Sequence, residues 1–181
     1  MQTAFLFLAT GFEETEAITP IDVLRRAGIE LKTISVSNEK NVTGAHGITV
    51  VADQLLSETD FTNATMLILP GGMPGTTNLK ECVGLAKLLK EQNAKGGYIA
   101  AICAAPLVLG GLGLLHNKKA TCYPGFEKEL IGAHVSADAV VKDGNIVTSK
   151  GPGTALEFAL SLAALLTTEE KAAQIASAMI A

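Results

Sequence analysis

The stretch GGYIAAICAAPLVLGG, residues 96–111, runs from an apolar strand-like segment into Cys103, two alanines and a proline. A chain that turns from strand to helix over one strained residue needs small neighbours, because a bulky side chain there would collide. Ala101, Ala104 and Ala105 meet that need. Pro106 falls in the first helical turn, where its missing N–H is not required and its fixed φ suits entry. The pattern predicts strand, sharp turn, short helix, with Cys103 near a helix N-terminus. Unpaired N–H groups and the helix dipole there favour the thiolate, which is the reactive form. A buried core cysteine is the competing reading, since free cysteine is among the most buried residue types. Residues 98–115 carry no charge and approach the length of a membrane-spanning helix. Pro106 and the cluster Gly110, Gly111 and Gly113 break that run, which argues against a span.

Outward from this segment, apolar runs alternate with helical patterns, the sequence form of a parallel sheet with helical crossovers. FLFLA is a first strand. From Glu14 to Arg26 the positions Ala17, Ile18, Ile21, Val23 and Leu24 form a helical stripe that Gly28 closes. LKTISV is a second strand, residues 42–56 alternate as a hairpin or edge strand, and MLILPGG is a third main strand. A helix over 77–93 leads to YIAAIC, and a weaker strand is expected around KKATC. HVSADAVVKDGNIVTSKGPG alternates about Asp143 and Gly144, a strong hairpin pair. Gly153 and Thr154 open an apolar helix to about Leu166, and Thr167 with Glu170 predicts a capping box for the last one.

The 181 residues suit one doubly wound α/β domain, with a mainly parallel sheet between helices and a peripheral hairpin. Apolar residues make up 48% but aromatics only 4%, so the core should be aliphatic. A net charge of −4 with no block of like charge argues against nucleic-acid and anionic-membrane partners. Cys82, Cys103 and Cys122 form neither a disulfide framework nor a CxxC metal pattern, which fits a reducing cytoplasm. The N-terminal apolar run lacks a basic flank and passes directly into acidic residues, so it reads as a strand and not a signal peptide.

In open parallel sheets ligands bind beyond the carboxyl ends of the strands, where strand order reverses. Three loops are expected there: GFEETE, PGGMPG, and the turn at Cys103. PGGMPG lacks the Lys-Ser/Thr of a P-loop and gives no GxGxxG, so it offers backbone N–H groups or is a plain turn. Glu13, Glu14 and Glu16 suit a helix start electrostatically. Glu16, within the first turn, can face the strand rim. Buried beside a thiol, a carboxyl favours its protonated form and can donate a hydrogen bond to a thiolate.

GFEETEAITPIDVLRRAG, LPGGMPGTTNL, IAAICAAP and SKGPGTALEFAL together resemble the ThiJ/PfpI superfamily, in its branch of Parkinson-disease-associated deglycases, glyoxalase III-like enzymes and redox chaperones. The resemblance implies a flavodoxin-like homodimer with Cys103 as reactive thiol and Glu16 as its protonated partner. It also implies an oxyanion pocket from the N–H groups of Gly72 and Ala104. It implies no cofactor and no metal. The substrate class it implies is small dicarbonyls or their glycation adducts on amines and thiols.

Two departures narrow the reaction. The peptidase-like branch has a histidine directly after its cysteine; Ala104 stands there, which argues against a cysteine peptidase. The deglycase branch often has a pocket histidine where this chain has Tyr123, and a phenol of pKa about 10 is a poor base at neutral pH. Proton transfer then falls to Glu16 or Cys103. His46, His116 and His134 lie in separate segments without metal-ligand spacing and read as surface or hairpin residues. A cysteine-based oxidative-stress sensor or chaperone is the alternative function. Residues 151–153 with Lys150 can bind an anion at a helix start, although a purely structural helix start is the favoured reading. Lys150 and Arg26 are expected at the pocket rim.

Overall fold

The computed structural model describes residues 2–181. In chain order the elements are β1 (Thr3–Leu8), α1 (Glu14–Arg26), β2 (Glu30–Ser35), β3 (Asn41–Thr43), β4 (Thr49–Val51), β5 (Gln54–Leu55) and β6 (Met66–Leu69). They continue with α2 (Gly75–Glu81), α3 (Val83–Ala94), β7 (Tyr98–Ile102), α4 (Pro106–Gly111), β8 (Lys119–Ala120) and β9 (His134–Val135). The chain closes with β10 (Val140–Asp143), β11 (Ile146–Ser149), α5 (Ala155–Leu166) and α6 (Glu169–Ala178).

Every residue of β1 and β6 is buried, because a central parallel strand is covered on both faces and so reads as an unbroken apolar run. The seven-stranded sheet has the order β10-β11-β7-β6-β1-β2-β5, parallel except for the antiparallel β10–β11 pair at one edge. Side chains of β1 and β7 alternate between two cores. Leu6, Leu8, Ala100 and Ile102 join Leu24 of α1, Phe158 and Leu162 of α5, and Ile175 of α6. Phe5, Phe7, Ile99 and Ala101 join Leu79 of α2, Leu85 and Leu89 of α3, and Leu109 of α4. This is the expected flavodoxin-like sandwich. From β1 the chain moves outward to β2 and β5, then crosses to β6 on the other side, so strand order reverses at β1 and β6. The ends of β1, β6, β7 and β11 share one rim, as the pairs Leu69–Ala101 and Ser149–Ile102 show.

The differences from the sequence reading are local. The single helix expected over 77–93 is two, parted at Cys82, whose backbone is extended with ψ 99°. Leu79 and Leu85 are six apart and would fall on different faces of a continuous helix; the break lets both enter the same core. The KKATC segment stays outside the main sheet: β8 pairs in parallel with β9, so His134–Val135 is not part of the β10–β11 hairpin. The last helix is capped by Thr168, which accepts from the Lys171 N–H at 3.1 Å. Thr167 donates its hydroxyl back to the Ala163 carbonyl at 2.7 Å and so belongs to the end of α5. The hairpin expected within 42–56 is β3–β4, followed by the edge strand β5.

Phe158 is fully buried between α5, α1 and the sheet. Phe158→Ala should lower unfolding free energy by about 3–5 kcal/mol, read as a shift in the urea midpoint at unchanged slope. A loss below 1 kcal/mol would mean that this core collapses around the deletion.

Candidate active site around Cys103

β7 ends at Ile102, and Cys103 takes a left-handed backbone with φ +65°. For a residue with a Cβ this costs on the order of 1–2 kcal/mol. Both its backbone groups are held: its N–H donates to Ser149 O at 2.9 Å, and its carbonyl accepts from Tyr123 N–H at 2.8 Å. Ala104 and Ala105 are buried, and Pro106 is the first residue of α4. The half-buried thiol stands between the two cores at the sheet rim.

Glu16, in the first turn of α1, is fully buried. Its Oε2 accepts from Gly71 N–H at 2.8 Å, while Glu13 N–H donates to Gly71 O at 2.9 Å. The start of α1 therefore grips both polar groups of Gly71. A methyl group on Gly71 would lie 2.7 Å from Cys103 Cβ and from Glu16 Oε2, so only glycine lets the three meet. Gly72 has φ +87°, and a Cβ there would collide with Glu13 N. Its N–H and that of Ala104 donate toward the Cys103 sulfur, and the Glu16 carboxyl is a hydrogen-bonding neighbour of the thiol. Glu16 Oε1 is buried with no hydrogen-bond partner among the described residues and faces Gly151.

Burial pushes the Glu16 carboxyl up to about 7; the hydrogen bonds to Cys103 and Gly71 oppose this, and the charge of Glu13 adds to it. Burial also pushes the Cys103 thiol up to about 12, aided by the charge of Glu16, against the Gly72 and Ala104 N–H groups. The helix-start effect expected to favour the thiolate is thus outweighed by burial, and further by the charge of Glu16 when it is ionised. Two adjacent negative charges are costly in this setting, so above about pH 7 the pair holds one proton between its two acidic groups. A thiolate forms when that proton resides on Glu16.

The Tyr123 side chain is half-exposed, and its ring edge would lie 3.1 Å from a methyl group on Gly151, so it flanks the site. Lys150 precedes Gly151 and its backbone N–H donates to Ala139 O. Arg26 is not at the rim. It lies ten residues along α1 from Glu16, about 15 Å at the helical rise, and its Nε bonds the Asp22 carboxylate at 2.9 and 3.0 Å. Sequence reasoning named the PGGMPG loop and residues 151–153 but did not single out the close approach of Gly71 to Glu16 and Cys103. It also passed over the clamp formed by Glu14. The carboxylate of Glu14 accepts from the N–H groups of His46 and Ile48 at 2.7 and 3.4 Å and meets His46 Nδ1 at 2.8 Å. Glu13, Glu14 and His46 bring ligand-type atoms within 4.8 Å of one another, and these hydrogen bonds account for the grouping without a metal. A cavity of about 580 Å³ lies elsewhere, between β10, α5 and α6.

Residues 2–165 match the model of the DJ-1/PfpI family. The chain belongs to the DJ-1/PfpI family. It is 44% identical over 175 residues to protein DJ-1 homolog B of Arabidopsis thaliana, covering 96% of this chain and 40% of that protein. It is 39% identical over 160 residues to the glutathione-independent glyoxalase DJR-1.2 of Caenorhabditis elegans, covering 88% and 85%. The structure of oxidized Toxoplasma gondii DJ-1 superposes with a TM-score of 0.96 at 38% identity, covering 99% and 98%. The chain spans less than half the length of the two Arabidopsis relatives, at 40% and 46%. Among the described residues no helix is long and apolar enough to cross a membrane.

The raised Glu16 carboxyl makes stability depend on pH. A folded-state value near 7 against the ordinary 4.5 gives stabilisation fully present below 4.5 and lost as pH rises through about 7. Relative to Glu16→Gln, wild type should therefore lose on the order of 3 kcal/mol between those limits, measured by urea unfolding across the range. Parallel pH curves for the two proteins would mean that the carboxyl titrates normally.

Proposed function

We propose that this chain is a cofactor-independent enzyme acting on reactive dicarbonyls such as methylglyoxal, or on their early adducts with amines and thiols. The observation that carries this reading is the buried Glu16 carboxyl beside Cys103, with the N–H groups of Gly72 and Ala104 turned toward the sulfur. A Caenorhabditis elegans relative named as a glutathione-independent glyoxalase supports the substrate class.

With the shared proton on Glu16, the Cys103 thiolate adds to the aldehyde carbon and the carbonyl electron pair moves to oxygen. The Gly72 and Ala104 N–H groups would bond that oxyanion, and Glu16 would supply its proton, leaving a hemithioacetal and a carboxylate. The carboxylate then takes the C1 hydrogen as a proton, leaving an enediolate, and returns it to C2 while the C1 hydroxyl proton passes to the C2 oxygen. C1 is oxidised and C2 reduced within one molecule, giving a thioester of a 2-hydroxy acid. Water cleaves the thioester to lactate and the free thiol. A carboxyl that titrates near neutrality suits a step in which it is both donor and acceptor. Tyr123 and Lys150 would border the substrate.

We further propose a homodimer in a reducing cytoplasm. Ile18 on α1 and Ile48 and Val51 on the β3–β4 hairpin are exposed apolar side chains, and Ile18 lies one turn from Glu14, which accepts from Ile48 N–H. An apolar surface of this kind is what a second copy would cover. The second functional reading, a redox sensor or chaperone, draws on the oxidized form of the Toxoplasma gondii neighbour and on the N–H groups aimed at sulfur.

The enzyme reading expects methylglyoxal loss matched by lactate gain without glutathione, and a fall of at least about 100-fold in Cys103→Ser. Equal rates in the two proteins would remove the mechanism. Negligible turnover, with two oxygens added at Cys103 under low peroxide by peptide mass, would favour the sensor instead.

A further inference from the structure

The turn between β3 and β4 rests on the same segment that organises the candidate site. Gly11 N–H donates to Thr43 O and Ala45 N–H to Phe12 O, both at 2.8 Å. The buried Glu14 carboxylate completes the junction through the N–H groups of His46 and Ile48 and through His46 Nδ1. Gly44 packs against the Glu14 side chain too closely to accept a Cβ. Directly beside this junction, Glu13 N–H and Glu16 Oε2 hold Gly71. A short path therefore leads from His46 through residues 13–16 to the amides around Cys103.

Within one chain the imidazole of His46 is mostly exposed and faces two charged groups, the carboxylates of Glu14 at 2.8 Å and Glu13 at 3.4 Å, both from the start of α1. Its own turn, Gly44 to Ile48, brings no other charged side chain. To donate to an ionised carboxylate, Nδ1 carries a proton in either charge state. The second ring proton converts a hydrogen bond into an ion pair with both acids, which raises the affinity of His46 for it. A cation there also offsets Glu13, whose charge helps Glu16 to keep its proton.

We propose that His46 is a positioning residue that latches the β3–β4 hairpin to the first turn of α1 and, by its charge, tunes the sharing of one proton between Glu16 and Cys103. At low pH the charged ring tightens the latch and weakens the hold of Glu16 on its proton. As pH rises and the ring becomes neutral, the latch slackens, Glu13 acts on Glu16 unopposed, and negative charge shifts toward the sulfur. This rests on the Cys103–Glu16 pairing set out above and on no choice of substrate.

The test compares wild type, His46→Gln, which stays neutral, and His46→Arg, which stays charged. Iodoacetamide alkylation of Cys103 at pH 8 should be faster in His46→Gln than in His46→Arg by about two- to five-fold, the scale of an exposed ion pair. Wild type should follow the arginine variant at low pH and the glutamine variant at high pH. Hydrogen exchange, corrected for intrinsic rates, should show protection of the His46 and Ile48 amides falling between pH 6 and 9 in wild type but not in His46→Arg. Superimposed alkylation profiles, or pH-independent protection in wild type, would overturn the proposal. Alkylation of Cys103 in all three proteins as an ordinary thiol, with Glu16→Gln no different, would instead remove the pairing itself.

Discussion

The grip of α1 on Gly71 is the constraint on which the rest of the site depends. Glu16 Oε2 takes the Gly71 N–H at 2.8 Å and Glu13 N–H takes the Gly71 carbonyl at 2.9 Å. Gly71, in the loop after β6, is thereby fixed through both of its peptide units by two residues at the start of α1. Because β6 lies between β1 and β7 in the sheet, that glycine is carried to the elbow that bears Cys103. The Gly72 N–H is then aimed at sulfur by a geometry set two strands away. Preorganisation of this kind needs no rearrangement when charge develops on a substrate.

The same contact explains the acidity pattern. Glu16 reaches Gly71 only by leaving water, and burial is the main reason that its carboxyl titrates near 7. Cys103 is half-buried beside it and is pushed in the same direction, toward the neutral form. The two groups therefore cannot be treated as an independent acid and an independent nucleophile. They share one proton and one negative charge, and a thiol at a helix start is too simple a description of Cys103.

What was legible in the sequence follows from which forces are local. β1, β6 and β7 announce themselves because strands buried on both faces have no polar alternation to confuse the reading. The elbow is visible because sterics demand small residues within two positions of Cys103. The break at Cys82 was readable as well, since Leu79 and Leu85 are out of phase on one helix. Arg26 shows the opposite case: it was expected at the pocket rim, but the helical rise carries it to the far end of α1, where Asp22 pairs with it. The clamp between Glu14 and His46 joins residues 32 apart in sequence, and no periodicity encodes such a contact. The acidity of Cys103 was misjudged for the same reason, because it depends on a neighbour that folding supplies.

On the proposed reading, the site stabilises negative charge with amide dipoles and a proton. Gly72, Ala104 and Gly71 contribute amides, and His46 lies beyond Glu13 and Glu14. Amide dipoles are neutral, so burying them beside sulfur leaves no counter-ion to desolvate. When a thiolate adds to an aldehyde, the total charge of the site does not change; it moves from sulfur to the new oxyanion. An arrangement that already tolerates a single buried negative charge within reach of fixed N–H groups needs little further electrostatic work to accept that displacement. A step that created a second charge would lack this advantage, because Glu16 and Cys103 already resist being ionised together. The geometry thus favours additions that relocate charge, with Glu16 passing the one available proton, over reactions that must separate a new ion pair.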